Sequence, residues 1–462
     1  MISLPISKPA PSKLPLSISA ISQLPLSDFG KHRAAFFTNM PNNSIALFPA
    51  ASELTRSNDT EYPFCQHKHF FYLTGFNEPD ALLVLLKSEA GKAKSLLFSL
   101  AKDPLHEIWQ GRRIGQSKAV QDYGFDESFK VTDIDSMLPD HFDGKSQILF
   151  GFSHHDFAAK IFIWLKQVKS RIRQGAKTPQ QLTDADPIVE NLRLIKTDNE
   201  IALMRQANVI SGLAHQRAMQ KCQVGLFEYQ IEAEILHEFA RHGARYPAYA
   251  CIVAGGDNAN ILHYTANSDV LQNNALLLID AGAELAGYAA DITRTFPVNG
   301  KFTTAQKALY QLVFEAKSLA VNAIQPSMTF AKLNVLVNKF LTQGLLDLGI
   351  LTGDLTELIS RKAVKKYFIH GLGHWLGLDV HDVGDYYINS DREQTRAFEK
   401  GMVMTIEPGI YIPLDDLSVE EKWRGIGIRI EDNIVVTETG FENLTVNSPT
   451  TIKAIEALMK RS

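Results

Sequence analysis

Short apolar runs, turn clusters and longer amphipathic stretches alternate along the chain from Asp28 to Asp186. Ser44-Ile45-Ala46-Leu47-Phe48 and Ala81-Leu82-Leu83-Val84-Leu85-Leu86 have the length and composition of buried strands, and Phe157 to Val168 has those of a helix. Strands interleaved with helices predict an α/β unit. A polar link from Gly175 to Gln181, with Pro179 inside it, follows. Thr197-Asp198-Asn199-Glu200 then reads as a capping box that opens a long helix through Ile201-Ala202-Leu203-Met204. Beyond it the pattern predicts a helix over 229–242, strands over 249–297, helices over 304–348 and strands again over 403–437. The expected organisation is an N-terminal α/β domain over 27–190 and a second domain of mixed α+β character over 191–462.

Four of the strand-like runs in the second domain end on an acid. They are Leu276-Leu277-Leu278-Ile279 before Asp280, Tyr288-Ala289-Ala290 before Asp291, Met402-Val403-Met404-Thr405-Ile406 before Glu407, and Ile426-Gly427-Ile428-Arg429-Ile430 before Glu431. One such acid is ordinarily a turn residue or half of a salt bridge. Four in apolar surroundings need compensating charge, because an unpaired buried carboxylate is costly or takes up a proton. Two divalent cations would supply it. Ala283-Glu284-Leu285-Ala286-Gly287, between Asp280 and Asp291, suits a hairpin turn that sets the two aspartates nearly opposite each other on one face.

His374 completes the candidate set. It lies in Phe368-Ile369-His370-Gly371-Leu372-Gly373-His374-Trp375-Leu376-Gly377-Leu378-Asp379-Val380-His381-Asp382, where closely spaced glycines suit backbone packed against a site and imidazoles turned inward. His370, His381 and, from a separate segment, His263 are candidate proton or hydrogen-bond partners. His67, His69, His154 and His155 lie in polar stretches without acid partners and read as solvated. Oxygen-rich donors with one imidazole and no thiolate favour a harder ion such as Mn²⁺, with Co²⁺ or Zn²⁺ also accommodated.

Composition narrows the class. A length of 462 residues exceeds what one core usually organises, and 45% hydrophobic with 21% charged residues is ordinary for a globular protein. A net charge of −4 argues against bulk electrostatic binding of nucleic acid. Cys65, Cys222 and Cys251 show no paired spacing, so neither a disulfide framework nor a thiolate site is implied, and a reducing, cytoplasmic setting fits. Residues 1–26, broken by Pro and Ser every few positions and free of acids, read as a disordered leader rather than a signal peptide or membrane helix.

These segments resemble the pita-bread metallopeptidases and, among them, the Xaa-Pro aminopeptidase (aminopeptidase P) family. The resemblance runs from about Asp28 onward. It includes Tyr72-Leu73-Thr74-Gly75-Phe76-Asn77-Glu78-Pro79, Arg241 to Pro247, Asp291-Ile292-Thr293-Arg294-Thr295-Phe296, His370 to Asp382, Glu407-Pro408-Gly409-Ile410-Tyr411 and Arg424 to Asp432. It implies a creatinase-like first domain, a pita-bread catalytic domain, and hydrolysis of the bond between an N-terminal residue and a following proline. The implied metal ligands are Asp280, Asp291, His374, Glu407 and Glu431, with Asp291 and Glu431 bridging two ions. Glu407 is implied as general base, and His263, His370, His381, Tyr411 and Arg429 as proton and positioning groups.

The resemblance further implies homodimers or homotetramers built partly through the first domain, and peptide partners with proline at the second position. Trp109 matches a family position that approaches a neighbouring subunit; its plainer reading is a buried core aromatic. Prolidases, which act on Xaa-Pro dipeptides, carry a similar histidine segment and are the alternative, and some members of the fold are non-catalytic binding modules. Two features depart from the family pattern: the leader, and Gly373 where a serine is familiar.

Overall fold

The computed structural model describes residues 23–460. The first domain is built on a six-stranded mixed sheet, ordered Glu127–Lys130, Ala93–Ser99, Leu82–Lys87, Ser44–Pro49, Gln147–Phe150 and Gln181–Asp184. Ser44–Pro49 runs antiparallel to Leu82–Lys87 and parallel to Gln147–Phe150. The central strands are apolar at successive positions because both faces are covered. Ile45, Leu47, Val84 and Phe98 pack on one side with Phe142 and Trp164. On the other side Ala46, Phe48, Leu83 and Leu97 pack with Phe36, Tyr72 and Phe76, and this cluster continues into Met204, Tyr288, Leu376 and Val403 of the second domain. One apolar layer therefore joins the two domains.

The expected boundary at 190–191 falls inside the helix Asp186–Leu194. The first long helix beyond it is Asp198–Lys221, where the Thr197 hydroxyl accepts from Glu200 N (3.4 Å) and Glu200 Oε2 accepts from Thr197 N (2.7 Å), the anticipated capping box. Glu228–Arg241, Thr304–Asn322 and Phe330–Asp347 are the other long helices of this domain, packed against short antiparallel strands in one continuous core.

Residues 1–22 of the leader lie outside the described residues. Its last positions are structured: Leu24 is buried and Leu26 opens the helix Leu26–Asn39. Trp109, on the helix Pro104–Gln110, is 87% exposed, so its reading as a core aromatic does not hold. The solvated reading of the histidines holds for His155, which is exposed, but not for His69. His69 is buried, with its Nδ1 3.0 Å from the Arg193 guanidinium, and His67 stacks loosely with His154. The partners that bury His69 come from far along the chain.

Candidate metal and catalytic site

Two strand ladders meet to build the site. In the first, Asp280 pairs with Thr293 at the end of Leu276–Asp280, and the same register continues to Glu284 with Ala289 and Leu285 with Tyr288. Ala286 and Gly287 both hold positive φ in the connecting turn, the geometry of a tight two-residue hairpin. Asp291 is thus diagonal to Asp280 rather than directly opposite, displaced by two residues, which keeps both on one face. Asp291 instead faces Gly282, where a side chain would begin 1.7 Å from Ala290 O.

The second ladder pairs Ile406 with Asp432 and Gly409 with Arg429. Glu407 and Glu431 fall between these pairs and face one another directly. The ladders are tied together where Glu431 N donates to Thr293 O (3.1 Å) and the Thr293 hydroxyl donates to Glu431 Oε2 (2.7 Å). The histidine segment lies alongside: His374 N donates to Thr405 Oγ1 (3.0 Å), Thr405 N to His374 O (2.9 Å) and Glu407 N to Leu372 O (2.8 Å). At Gly373 a Cβ would stand 2.0 Å from Thr405 O, so in this chain the backbone occupies the space a serine side chain would need.

All five ligand candidates and His263, His370, His381 and Arg429 line a single cavity of about 460 Å³. Ligand atoms of Asp291, His374 and Glu431 lie within 4.8 Å of one another. His374 Nδ1 donates to Trp375 O (2.8 Å), which aims Nε2 at Asp291 Oδ2 at 3.3 Å and Glu407 Oε1 at 3.7 Å.

The electrostatics fit bound cations. Burial pushes Asp280 up to about 6 and Glu407 up to about 7, and burial with the neighbouring carboxylates lifts Glu431 well above the usual range. Burial alone would raise Asp291 and lower His374. The hydrogen bond between them outweighs it, holding the Asp291 carboxyl low and raising His374 to about 9. One imidazolium and Arg429 are too little positive charge for four buried carboxylates, so the chain either keeps protons on several of them or binds metal.

Behind the cavity, Arg429 organises one side. Its Nη2 donates to Asp280 Oδ2 (2.7 Å), its Nε to Thr293 Oγ1 (3.1 Å) and its Nη1 to the Tyr411 hydroxyl (3.0 Å). The Tyr411 hydroxyl lies 2.7 Å from His370 Nε2, while His370 Nδ1 faces Gly371 O at 2.7 Å, so Nδ1 carries the proton and Nε2 accepts. Tyr411 itself is buried just outside the cavity wall. Burial first, then Arg429, holds His370 down at about 3.

Sequence reasoning missed three contributors. The Tyr249 hydroxyl lies 2.5 Å from both Asp280 Oδ1 and Asp291 Oδ1. Arg294 and Lys317 grip Asp432, the residue after Glu431: Arg294 Nη2 donates to Asp432 Oδ1 (2.8 Å), Lys317 Nζ to its other oxygen, and Arg294 Nη1 to Glu431 O (2.5 Å). Arg294 falls within the segment Asp291 to Phe296, but only its burial marks it as a scaffold.

Residues 202–438 match metallopeptidase family M24 and residues 29–150 match the aminopeptidase P N-terminal domain. The chain belongs to metallopeptidase family M24. Within that family it is 46% identical to the Xaa-Pro aminopeptidase of Escherichia coli K12, over 95% of this chain and 99% of the relative. It is 45% identical to that of Haemophilus influenzae, over 96% and 100%. A zinc-substituted aminopeptidase P of E. coli in complex with product superposes with a TM-score of 0.92 at 46% identity, over 95% of this chain and 99% of that one. Aminopeptidase PepP of Pseudomonas aeruginosa does so with 0.92 at 44%, over 95% and 98%. The pita-bread metallopeptidase fold expected from the sequence is therefore the fold of this M24 member.

Proposed function

We propose that the chain is a metal-dependent Xaa-Pro aminopeptidase, hydrolysing the bond between an N-terminal residue and a following proline. The carrying observation is the convergence of Asp280, Asp291, His374, Glu407 and Glu431 in one cavity of a chain that matches Xaa-Pro aminopeptidases along almost all of its length. These five would hold two divalent cations. The oxygen-rich donor set favours Mn²⁺, with Co²⁺ or Zn²⁺ as substitutes. Bound there, the cations supply an acidified water and Lewis-acid polarisation of the peptide carbonyl.

The chain's own groups do the rest. Glu407, on the cavity wall with its carboxylate beside His374, is placed to take the proton of the attacking water. His263 and His381, on the cavity wall, donate to the developing oxyanion or to the departing proline nitrogen. That nitrogen is tertiary in the substrate and needs a proton to leave. The Arg429, Tyr411 and His370 chain keeps Asp280 oriented and offers a path for protons away from the site. The acidic cavity also suits the free ammonium of the substrate's first residue, which confines cleavage to the N-terminus.

Helix Pro104–Gln110 exposes Leu105 and Ile108 at 73% each beside Trp109, which supports a homodimer or homotetramer formed through the first domain. A cytoplasmic enzyme that meets peptides rather than nucleic acid or membrane fits the net charge of −4 and the cysteine usage. Among the described residues no helix is long and apolar enough to cross a membrane.

The test compares kcat/KM for an Xaa-Pro dipeptide with its Xaa-Pro-Yaa extension, a ratio that reports differential transition-state binding. The tripeptide is the better substrate if the proposal holds. Preference for the dipeptide would make the chain a prolidase.

A further inference from the structure

The wall of the cavity that carries His381 is fastened from outside the catalytic domain. Among the described residues no hydrogen bond fixes the His381 ring, whose one ring contact is edge-on to His374 with centroids 4.3 Å apart. Its place is therefore set by its backbone, and the anchored residue is its neighbour. Asp382 N donates to Trp375 O (2.9 Å), Asp382 Oδ1 accepts from Arg193 Nη2 (2.5 Å), and Asp382 Oδ2 accepts from Lys196 Nζ (2.8 Å). Arg193 Nη2 also donates to Asp379 Oδ2 (2.7 Å), closing the turn 379–382 from both ends. A Cβ at Gly377 would lie 2.1 Å from Asp382 Oδ2, so the glycine leaves the room in which the carboxylate sits.

Arg193 lies in the last turn of the interdomain helix Asp186–Leu194 and Lys196 follows the helix. Both cations and Asp382 are buried. From the first domain, His69 meets the other arm of the guanidinium, with Nδ1 3.0 Å from Arg193 Nη1. Burial, then the Arg193 charge, holds His69 down at about 3, so its ring is neutral and Nδ1 accepts. Two buried cations on one carboxylate give little net stability over apolar packing, and what they fix is geometry.

We propose that Arg193, Lys196 and Asp382 form an interdomain clamp that positions His381 for catalysis, with His69 of the first domain orienting the Arg193 guanidinium. Seating of the first domain is thereby coupled to the transition state. The inference rests on the reading of His381 as a catalytic group.

The test is a double-mutant cycle on the full-length, metal-loaded enzyme, with kcat, KM, metal content and Tm measured on an Xaa-Pro-Yaa peptide. Arg193→Gln keeps its metal, shifts KM by no more than about twofold and lowers kcat roughly tenfold. In a His381→Ala background it causes no further loss, because the group it positions is gone. His69→Phe leaves both ion pairs on Asp382 intact. It shows a smaller loss of kcat with the same dependence on His381, and stands in if Arg193→Gln does not fold. Equal fractional losses with and without His381, or an unchanged kcat in the folded single variants, overturn the clamp. A wild-type kcat for His381→Ala instead overturns the catalytic reading of that histidine.

Discussion

Replacing Arg429 by lysine isolates what the guanidinium fork does for the proposed metal ligands. The fork makes three side-chain contacts, to Asp280 Oδ2, Thr293 Oγ1 and the Tyr411 hydroxyl. A lysine ammonium keeps the charge, but as a point donor on a flexible stem it can replace one contact of this spread-out set. Asp280 then retains a cation while Thr293, which orients Glu431, and Tyr411 lose a donor. Hydrogen bonds from a charged donor are each worth about 1.5–3 kcal/mol, and part of that loss falls on folding. The part that falls on ligand orientation is typically about 10- to 100-fold in metal affinity, or about 1.4–2.7 kcal/mol. Competition against a chromophoric chelator measures the affinity, and kcat/KM at saturating Mn²⁺ measures what remains. Arg429→Lys is expected to bind metal more weakly and to recover most of its rate when metal is in excess. Unchanged affinity with a rate still depressed at saturation would refute this, and would move Arg429 from the ligands to the substrate.

Three further outcomes follow from the same geometry. Asp280, Glu407 and His374, at about 6, 7 and 9 against ordinary values of 3.8, 4.5 and 6.5, all bind protons more tightly folded than unfolded. Their stabilisation is complete below the unfolded values and lost as pH rises through the folded ones. His69 and His370, held at about 3, give the opposite slope until the unfolded histidines have lost their protons by about pH 7.5. Tm of the metal-free protein should therefore fall from about pH 7.5 to about 9.5 as His374 loses its proton, and a rise over that window would contradict it. His374→Ala should lose metal and rate together, whereas His381→Ala and His263→Ala should keep metal and lose about 100-fold or more in rate; equal metal loss in all three would erase the division of roles. Gly282→Ala, whose methyl meets Ala290 O, should destabilise the fold by several kcal/mol and displace the facing Asp291; thermal unfolding at wild-type Tm would show that the crossing has slack.

The cluster of candidate ligands that line one cavity was legible in the sequence because each acid follows an apolar run, and charge at the end of a buried strand is visible without knowing the fold. The register was legible only approximately. Asp280 and Asp291 were placed on one face, but their diagonal offset depends on a turn centred on Ala286 and Gly287, one position along from a symmetric reading. Tyr249 gave no signal, since a single tyrosine ahead of a strand becomes a partner of two acids only when the ladder is assembled. The histidine at 69 was misread because Arg193, whose guanidinium its ring meets, lies more than a hundred residues away along the chain. Trp109 shows the converse: an aromatic within a helix looks like core, and only the packed sheet reveals that nothing covers it.

Titration of metal into chelated, metal-free protein tests the central claim most directly, with release of the N-terminal residue from an Xaa-Pro-Yaa peptide as the readout. The account predicts no release without metal, and full activity once two cations are bound per chain, with Asp291→Ala and Glu431→Ala unable to reach it at any concentration. Hydrolysis at full rate by the metal-free protein would contradict it.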